Sequence, residues 1–354
     1  MPAITQQKNK RRFRDYGFTV GFLPVGRRNS ITDVRGVKVG HATLIRGNDI
    51  RTGVTVIDPG VSSLFEKKLP AAVAVGNGYG KIAGITQVQE LGTIEAPIAL
   101  TNTLAVGPVL RGMIDIVLKH EKNIAPTDSI NVVVGETNDS FLNNLHKDIV
   151  TKQDVMAAYD ARNSDVAEGA IGCGTGTRCF SWKGGIGTSS RKVRIGSFTY
   201  TLGVLVQTNF GGSLTVLGTP IGEMLEKNDF SVVSKEPDGS CMIVLATDAP
   251  LSSLLLERIA RRTFIGLART GSILSATSGD YAISFGTSRK QALVLASTDL
   301  NQFFLAAVES TEESVYNALF AGETMRGRNG NTLEEAPIEY IINLLRKYGT
   351  NSKK

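Results

Sequence analysis

A layered α+β sandwich is predicted by three features of the sequence. Short apolar strands gather in the middle of the chain, long amphipathic helices lie on each side of them, and no regular strand–helix–strand alternation runs through. The sheets are therefore expected to be mixed or antiparallel, and a doubly wound parallel sheet is disfavoured. With 354 residues, 42% of them hydrophobic and 20% charged, the chain can bury a full core without extended disorder.

The elements follow in order. After a basic head, "VKVGHATLI" and "GVTVIDPG" read as short strands separated by a loop, "RGNDIRT". "AAVAVGNGYGK" is a buried strand running into a glycine-rich bend. "TLAVGPVLRGMIDIVLKHE" has apolar positions at helical spacing and forms the first long helix. "SINVVVGETND" is a strand that ends in a polar loop. "TKQDVMAAYDARN" opens with a Thr cap ahead of helix formers. A glycine-dense segment, "GAIGCGTGTRCFSWKGGIGTSS", precedes the long strand "FTYTLGVLVQTNFGG". The polar stretch 225–239 is the one candidate break. Beyond it come strand "SCMIVLAT", helix "PLSSLLLERIARRTFIGLART" with Pro250 in its first turn, and strands "YAISFGTS" and "ALVLAS". Helices around "DLNQFFLAAVESTEESVYNALFAGETM" and "APIEYIINLLRKY" close the chain.

Several functions are disfavoured. Every apolar run is interrupted before it reaches membrane-spanning length, and the polar N-terminus lacks a secretory signal, so a cytoplasmic protein is expected. Cys173, Cys179 and Cys241 are odd in number and lack CxxC spacing, which fits reduced thiols. His41, His120 and His146 are scattered, with no metal-binding pattern. Much of the net charge of +6 sits in Lys8–Arg14 and the final "NSKK", where it is expected to be solvated; residues 1–29 are read as a mobile basic head, and no nucleic-acid partner is expected.

Two glycine clusters, "GNGYGK" and "GCGTGTRC", lack the spacing and the helix start of a phosphate loop, and are read as bends or points of close backbone approach. No GxSxG occurs, so a serine triad has no evident histidine. Ser240 offers another chemistry. It follows the turn-forming pair Asp238-Gly239 and opens an apolar strand. Its hydroxyl can attack the unhindered Gly239 carbonyl, and hydrolysis of the resulting ester leaves Ser240 as a new N-terminus. The freed amine, with a reference pKa of about 7.7–8.0, then serves as the base for its own hydroxyl. The plain alternative is a polar residue at the lip of a strand.

Six blocks, in order, carry a resemblance: "ITDVRGVKVGHATL", "IRTGVTVIDPG", "QELGTIEAPIALTNTLAVG", "GCGTGTRCFSWKGGIGTSSR", "GVLVQTNFG" and "ATDAPLSSLLLERIARRTFIGLARTGS". From about Ser30 to Ala321 the chain resembles the L-aminopeptidase D-esterase/amidase family, which includes the β-peptidyl aminopeptidases. That resemblance implies an αββα four-layer sandwich, similar to N-terminal nucleophile hydrolases but with a distinct topology. It implies a single self-processing domain cut between Gly239 and Ser240 into chains 1–239 and 240–354, assembled as a homo-oligomer.

The resemblance also implies roles for single residues. Asn209 would donate to the oxyanion. Ser278 and Asp280 would orient the nucleophile and its amine, with Ser275, three residues earlier, as the alternative to Ser278. Glu136 would receive the free amino group of a small peptide or an amino-acid amide or ester. Cys241, next to the nucleophile, would face the opposite side of the strand as a buried hydrophobe. No metal or organic cofactor is needed. Two other readings stay open: an acyltransferase of the ornithine acetyltransferase type, and an uncleaved scaffold or binding protein with the same fold.

Overall fold

The structure is a computed structural model that describes residues 11–227 and 239–349. The first half of the chain runs through β1 (Lys38–Arg46), β2 (Ile50–Asp58), β3 (Leu69–Gly78), β4 (Ile82–Ala83), α1 (Ile85–Leu91), β5 (Thr93–Ile94), β6 (Ile98–Asn102), α2 (Val106–His120), β7 (Val133–Thr137) and α3 (Lys152–Asp160). The second half adds β8 (Arg178–Cys179), β9 (Trp182–Lys183), β10 (Ile186–Ile195), β11 (Phe198–Asn209), α4 (Ile221–Met224), β12 (Gly239–Thr247), α5 (Ser253–Arg269), β13 (Ser278–Gly286), α6 (Ser297–Phe320), β14 (Met325–Arg326), β15 (Thr332–Leu333) and α7 (Ile338–Tyr348).

Two mixed sheets stack face to face. One has the order β1-β2-β6-β7-β4 and the other β10-β11-β12-β13-β3-β5. Side-chain alternation along the strands sorts the buried apolar residues into three layers. Met242, Val244 and Ala246 of β12 meet Ile57, Ile98, Leu100 and Val133 of the other sheet in the central layer. Cys241, Ile243 and Leu245 face outward and pack with Leu256 and Ile259 of α5, Phe303 and Ala307 of α6, and Ile341 of α7. On the far side, Val54, Val56, Ala99 and Val134 are covered by Val109 and Met113 of α2 and Val155 of α3. The expected four-layer αββα architecture is thus present. A strand buried on both faces has no polar face to show, which is why "SCMIVLAT" reads as a continuous apolar run.

Local chemistry explains the helix starts. Asp154 accepts the Thr151 N–H at 2.8 Å and so anchors the expected Thr cap of α3. Helix α5 starts at Ser253, where the Ser252 hydroxyl accepts from the Leu255 N–H. Pro250 therefore lies ahead of the helix, not in its first turn. "ALVLAS" is not a strand either: only the Leu293 N–H reaches a backbone neighbour, Pro250 O, and Val294 is fully exposed. Strands β6 and β10 and helix α1 were not foreseen. The glycines and polar residues around them blur both periodicities.

The basic head departs most from expectation. Its described part, from Arg11 on, packs against the second sheet, with Phe13, Phe18 and Val20 in the outer core. Arg191 and Glu309, both fully buried, pair at 2.9 Å, and Arg191 also reaches Glu313 at 2.7 Å. Arg14 joins Glu313 from the head at 2.6 Å, while Glu309 accepts the Phe22 and Leu23 N–H groups. Paired charges of this kind fix a segment instead of solvating it. Most of the polar stretch 225–239, Asp238 included, lies outside the described residues. No described helix is long and apolar enough to cross a membrane.

Candidate active site

Ser240 is the second residue of β12, a strand held on both sides. Antiparallel β11 places Asn209 opposite Ser240, and parallel β13 places Gly279 opposite it. Pairing on both edges leaves the Gly239–Ser240 peptide little freedom. Ser240 faces the layer between the sheets, on the same side as Met242, and opens into a cavity of about 310 Å³. The cavity is lined by Tyr79, Lys81, Thr103, Glu136, Thr277 and the Gly239–Ser240 pair, among others. The ends of strands from both sheets therefore meet at one opening.

Asn209 ends β11. Its Nδ2 donates to Asn138 O at 2.7 Å and to Ser240 Oγ at 3.3 Å, and its Oδ1 accepts the Arg178 N–H at 3.3 Å. Contacts at both ends of the amide fix which atom faces the serine: it is a donor. Two residues earlier, Gln207 bridges the sheets through Nε2, which reaches Thr137 Oγ1, Thr101 O and Cys173 O.

Ser278 and Asp280 alternate with Gly279 on β13, so their side chains share the face of Gly239 and Cys241, opposite to that of Ser240 Oγ. A Cβ on Gly239 would lie 2.8 Å from Ser278 Oγ and 3.0 Å from Ser275 Oγ, so a side chain before Ser240 would have to displace those hydroxyls. Asp280 is fully buried, and neither of its oxygens, nor Ser278 Oγ, has a hydrogen-bond partner among the described residues. Burial pushes the Asp280 carboxyl up to about 6, with the nearby Ser278 hydroxyl and Cys241 N–H pulling the other way. Cys241 is buried among apolar side chains, and that burial raises its thiol well above the ordinary range.

Glu136 lies on β7, paired with Thr101 of β6, and is 4% exposed. Its Oε1 accepts the Lys81 N–H at 2.8 Å and lies 3.5 Å from Lys81 Nζ, which also donates to Thr103 Oγ1 at 2.7 Å. Asn77 ties the same "GNGYGK" segment to β13 through bonds to Ser275 O and Ser278 O. This segment was read as a bend, and it does make close approaches; its function as a wall of the cavity was not legible. Lys81, Thr103, Asn77 and Asn138 went unnoticed. The one available signal was the lysine at the end of the glycine cluster.

The structure thus brings Ser240, Gly239 and Glu136 to one cavity, with Asn209 in hydrogen-bond contact with Ser240, the Ser278 and Ser275 hydroxyls against Gly239, and Asp280 opposite Cys241. The histidines are elsewhere: His41 contacts Thr55, and burial lowers it to about 4.

Comparison with known proteins identifies the family and the fold. Residues 29–333 match the family described as peptidase family S58. The chain is 39% identical to the beta-peptidyl aminopeptidase BapA of Sphingosinicella xenopeptidilytica, over 95% of this chain and 91% of that protein. A beta-aminopeptidase from a Burkholderia species superposes with a TM-score of 0.86 at 35% identity, covering 96% of this chain and 99% of that one. The L-aminopeptidase D-Ala-esterase/amidase of Ochrobactrum anthropi, described as a new variant of the Ntn hydrolase fold, gives 0.86 at 34% identity with the same coverage. The fold expected from the sequence is therefore present, including its distinct variant of the N-terminal nucleophile architecture. Spanning nearly the full length of these aminopeptidases, the chain belongs to peptidase family S58.

Proposed function

We propose that this aminopeptidase-family protein is a self-cleaving serine hydrolase whose nucleophile is Ser240. In the uncut chain, Ser240 Oγ attacks the Gly239 carbonyl, the acyl group moves from nitrogen to oxygen, and water hydrolyses the ester. Residues 1–239 and 240–354 then remain together as one unit, which assembles as a homo-oligomer in the cytoplasm.

In the mature enzyme the freed amine of Ser240 accepts the hydroxyl proton as Oγ attacks the first carbonyl of a substrate. It returns that proton to the leaving amine, and water releases the acyl group. Asn209 Nδ2 donates to the developing oxyanion. Glu136 accepts the substrate's ammonium in a charge-assisted hydrogen bond, which restricts cleavage to the first residue. Ser278 and Asp280 hold the new amine.

The observation that carries this reading is the buried Asp280 carboxyl, which has no counter-ion among the described residues and lies opposite Cys241, the residue after Ser240, on the neighbouring strand. A buried charge without a counter-ion is costly, and cutting the Gly239–Ser240 bond creates a cation nearby.

The test compares an aminoacyl p-nitroanilide bearing a free amino group with its N-acetyl counterpart, in wild type and Ser240→Ala. Turnover of the free-amine substrate alone, lost in the variant, is the expected result. Equal turnover of both substrates, or an active Ser240→Ala protein, contradicts the reading. Acyl transfer to an added amine that outpaces hydrolysis would favour the acyltransferase alternative.

A further inference from the structure

The candidate substrate cavity carries a second charge. Among the described lining residues, Lys81 and Glu136 are the only ones with full charges, and they are opposite in sign. Lys81 Nζ lies 3.5 Å from Glu136 Oε1 and is held there by Thr103 Oγ1 at 2.7 Å. Glu136 is almost fully buried, whereas Lys81 is half exposed.

This arrangement suits a bare ammonium poorly. Such a group must approach Glu136 past another cation, with like-charge repulsion and the loss of an existing ion pair. A ligand that brings its own carboxylate meets neither cost. Its ammonium takes Glu136, and its carboxylate takes the Lys81 ammonium and the Thr103 hydroxyl, so each charge keeps a partner.

The 3.5 Å spacing limits where that carboxylate can be. A ligand that carries its ammonium and carboxylate on one carbon matches this spacing with the least movement of Lys81. In an ordinary α-linked peptide that carbon bears the scissile carbonyl. In a β-aspartyl peptide it bears the free carboxylate, and the scissile carbonyl is one methylene further on.

We infer that Lys81 and Glu136 together form a subsite for an α-amino-acid zwitterion, and that the substrate class is β-aspartyl peptides and amides. This inference rests on the hydrolase reading above. Ser240 Oγ would form an ester with the β-carbonyl as the amide C–N bond breaks, and the leaving amine takes the proton. Water then cleaves the ester, giving aspartate and the free amine.

β-Aspartyl and β-alanyl p-nitroanilides differ only by the carboxylate in question. Wild type is expected to turn over both and to favour the β-aspartyl amide. In Lys81→Met the ratio of their kcat/KM values is expected to fall about tenfold or more, roughly the worth of one charge-assisted contact. Lys81→Arg should restore much of it. A ratio within one sample does not depend on the fraction folded.

Inhibition of the wild type supplies a second readout, with L-aspartate expected to bind more tightly than β-alanine. An unchanged ratio in Lys81→Met, equal inhibition by the two amino acids, or turnover of the β-alanyl amide alone overturns the inference and leaves the hydrolase reading standing. Turnover of no free-amine substrate at all overturns both.

Discussion

At the scale of single residues, the site depends on which atoms face Ser240. Asn209 presents Nδ2 because the Arg178 N–H and Asn138 O hold its amide at both ends. Asn209→Ala should lower kcat by about 10²–10³ with little change in KM, the pattern of a donor used mainly in the transition state. Steady-state rates on the two-chain fraction check this. In the proposed mechanism Asp280 acts through charge. A carboxylate beside an ammonium favours the charged form and raises the amine's pKa, so Asp280→Asn should move the ascending limb of the kcat/KM profile to lower pH.

The same carboxyl also ties stability to pH in the uncut chain. Its value in the fold, about 6, is above its ordinary 3.8, so the stability it permits is full below 3.8 and is lost as pH rises through about 6. The loss at neutral pH is of order 3 kcal/mol. Asp280→Asn in a Ser240→Ala background should recover up to that amount near pH 7 and nothing near pH 3, by urea unfolding.

Ser240 drew notice as a polar residue that follows Asp238-Gly239 and opens an apolar strand, whereas Asn209 and Glu136 were named through the family resemblance and not from their local pattern. Lys81 and Asn77 were not legible, because their positions depend on how a glycine-rich bend folds back over a strand distant in sequence.

At the scale of elements, the glycine-dense segment 169–190 supports the site through its backbone. Lys183, fully buried, donates from Nζ to Gly174 O, Thr177 O and Gly184 O, which closes the segment that carries Arg178 to Asn209. Sequence alone showed the glycines but not the ammonium that gathers their carbonyls.

The head and α6 are joined by a similar device. Burial would raise Glu313, but Arg191 and Arg14 outweigh it and bring the carboxyl below its ordinary value, so this contribution to stability is lost as pH falls. Removing one member leaves a buried charge unpaired. Arg191→Met should cost about 3–5 kcal/mol, whereas Arg261→Met, which breaks an exposed pair with Glu257, should cost about 1 kcal/mol or less. Paired urea denaturation curves decide between them. The free-head expectation failed here because clustered charge says nothing of partners nearly 300 residues away.

At the scale of the whole molecule, the layers determine where chemistry can occur. A layered sandwich was legible, since strands clustered between helices have few other ways to bury both faces, while its four-layer form came from the family resemblance. Strand order was not legible, because pairings such as β13 with β3 join segments about 200 residues apart. That order brings the start of β12 into line with the ends of β3, β7 and β11, and so creates the cavity at the seam of the two sheets.

The proposed chemistry requires that the protein itself cut the Gly239–Ser240 bond. Intact mass under denaturing conditions, on purified wild type beside Ser240→Ala, tests it most directly. Two chains meeting between Gly239 and Ser240 are expected in the wild type, and one 37.9 kDa chain in the variant. A wild-type chain that stays whole after long incubation in its folded state would contradict it.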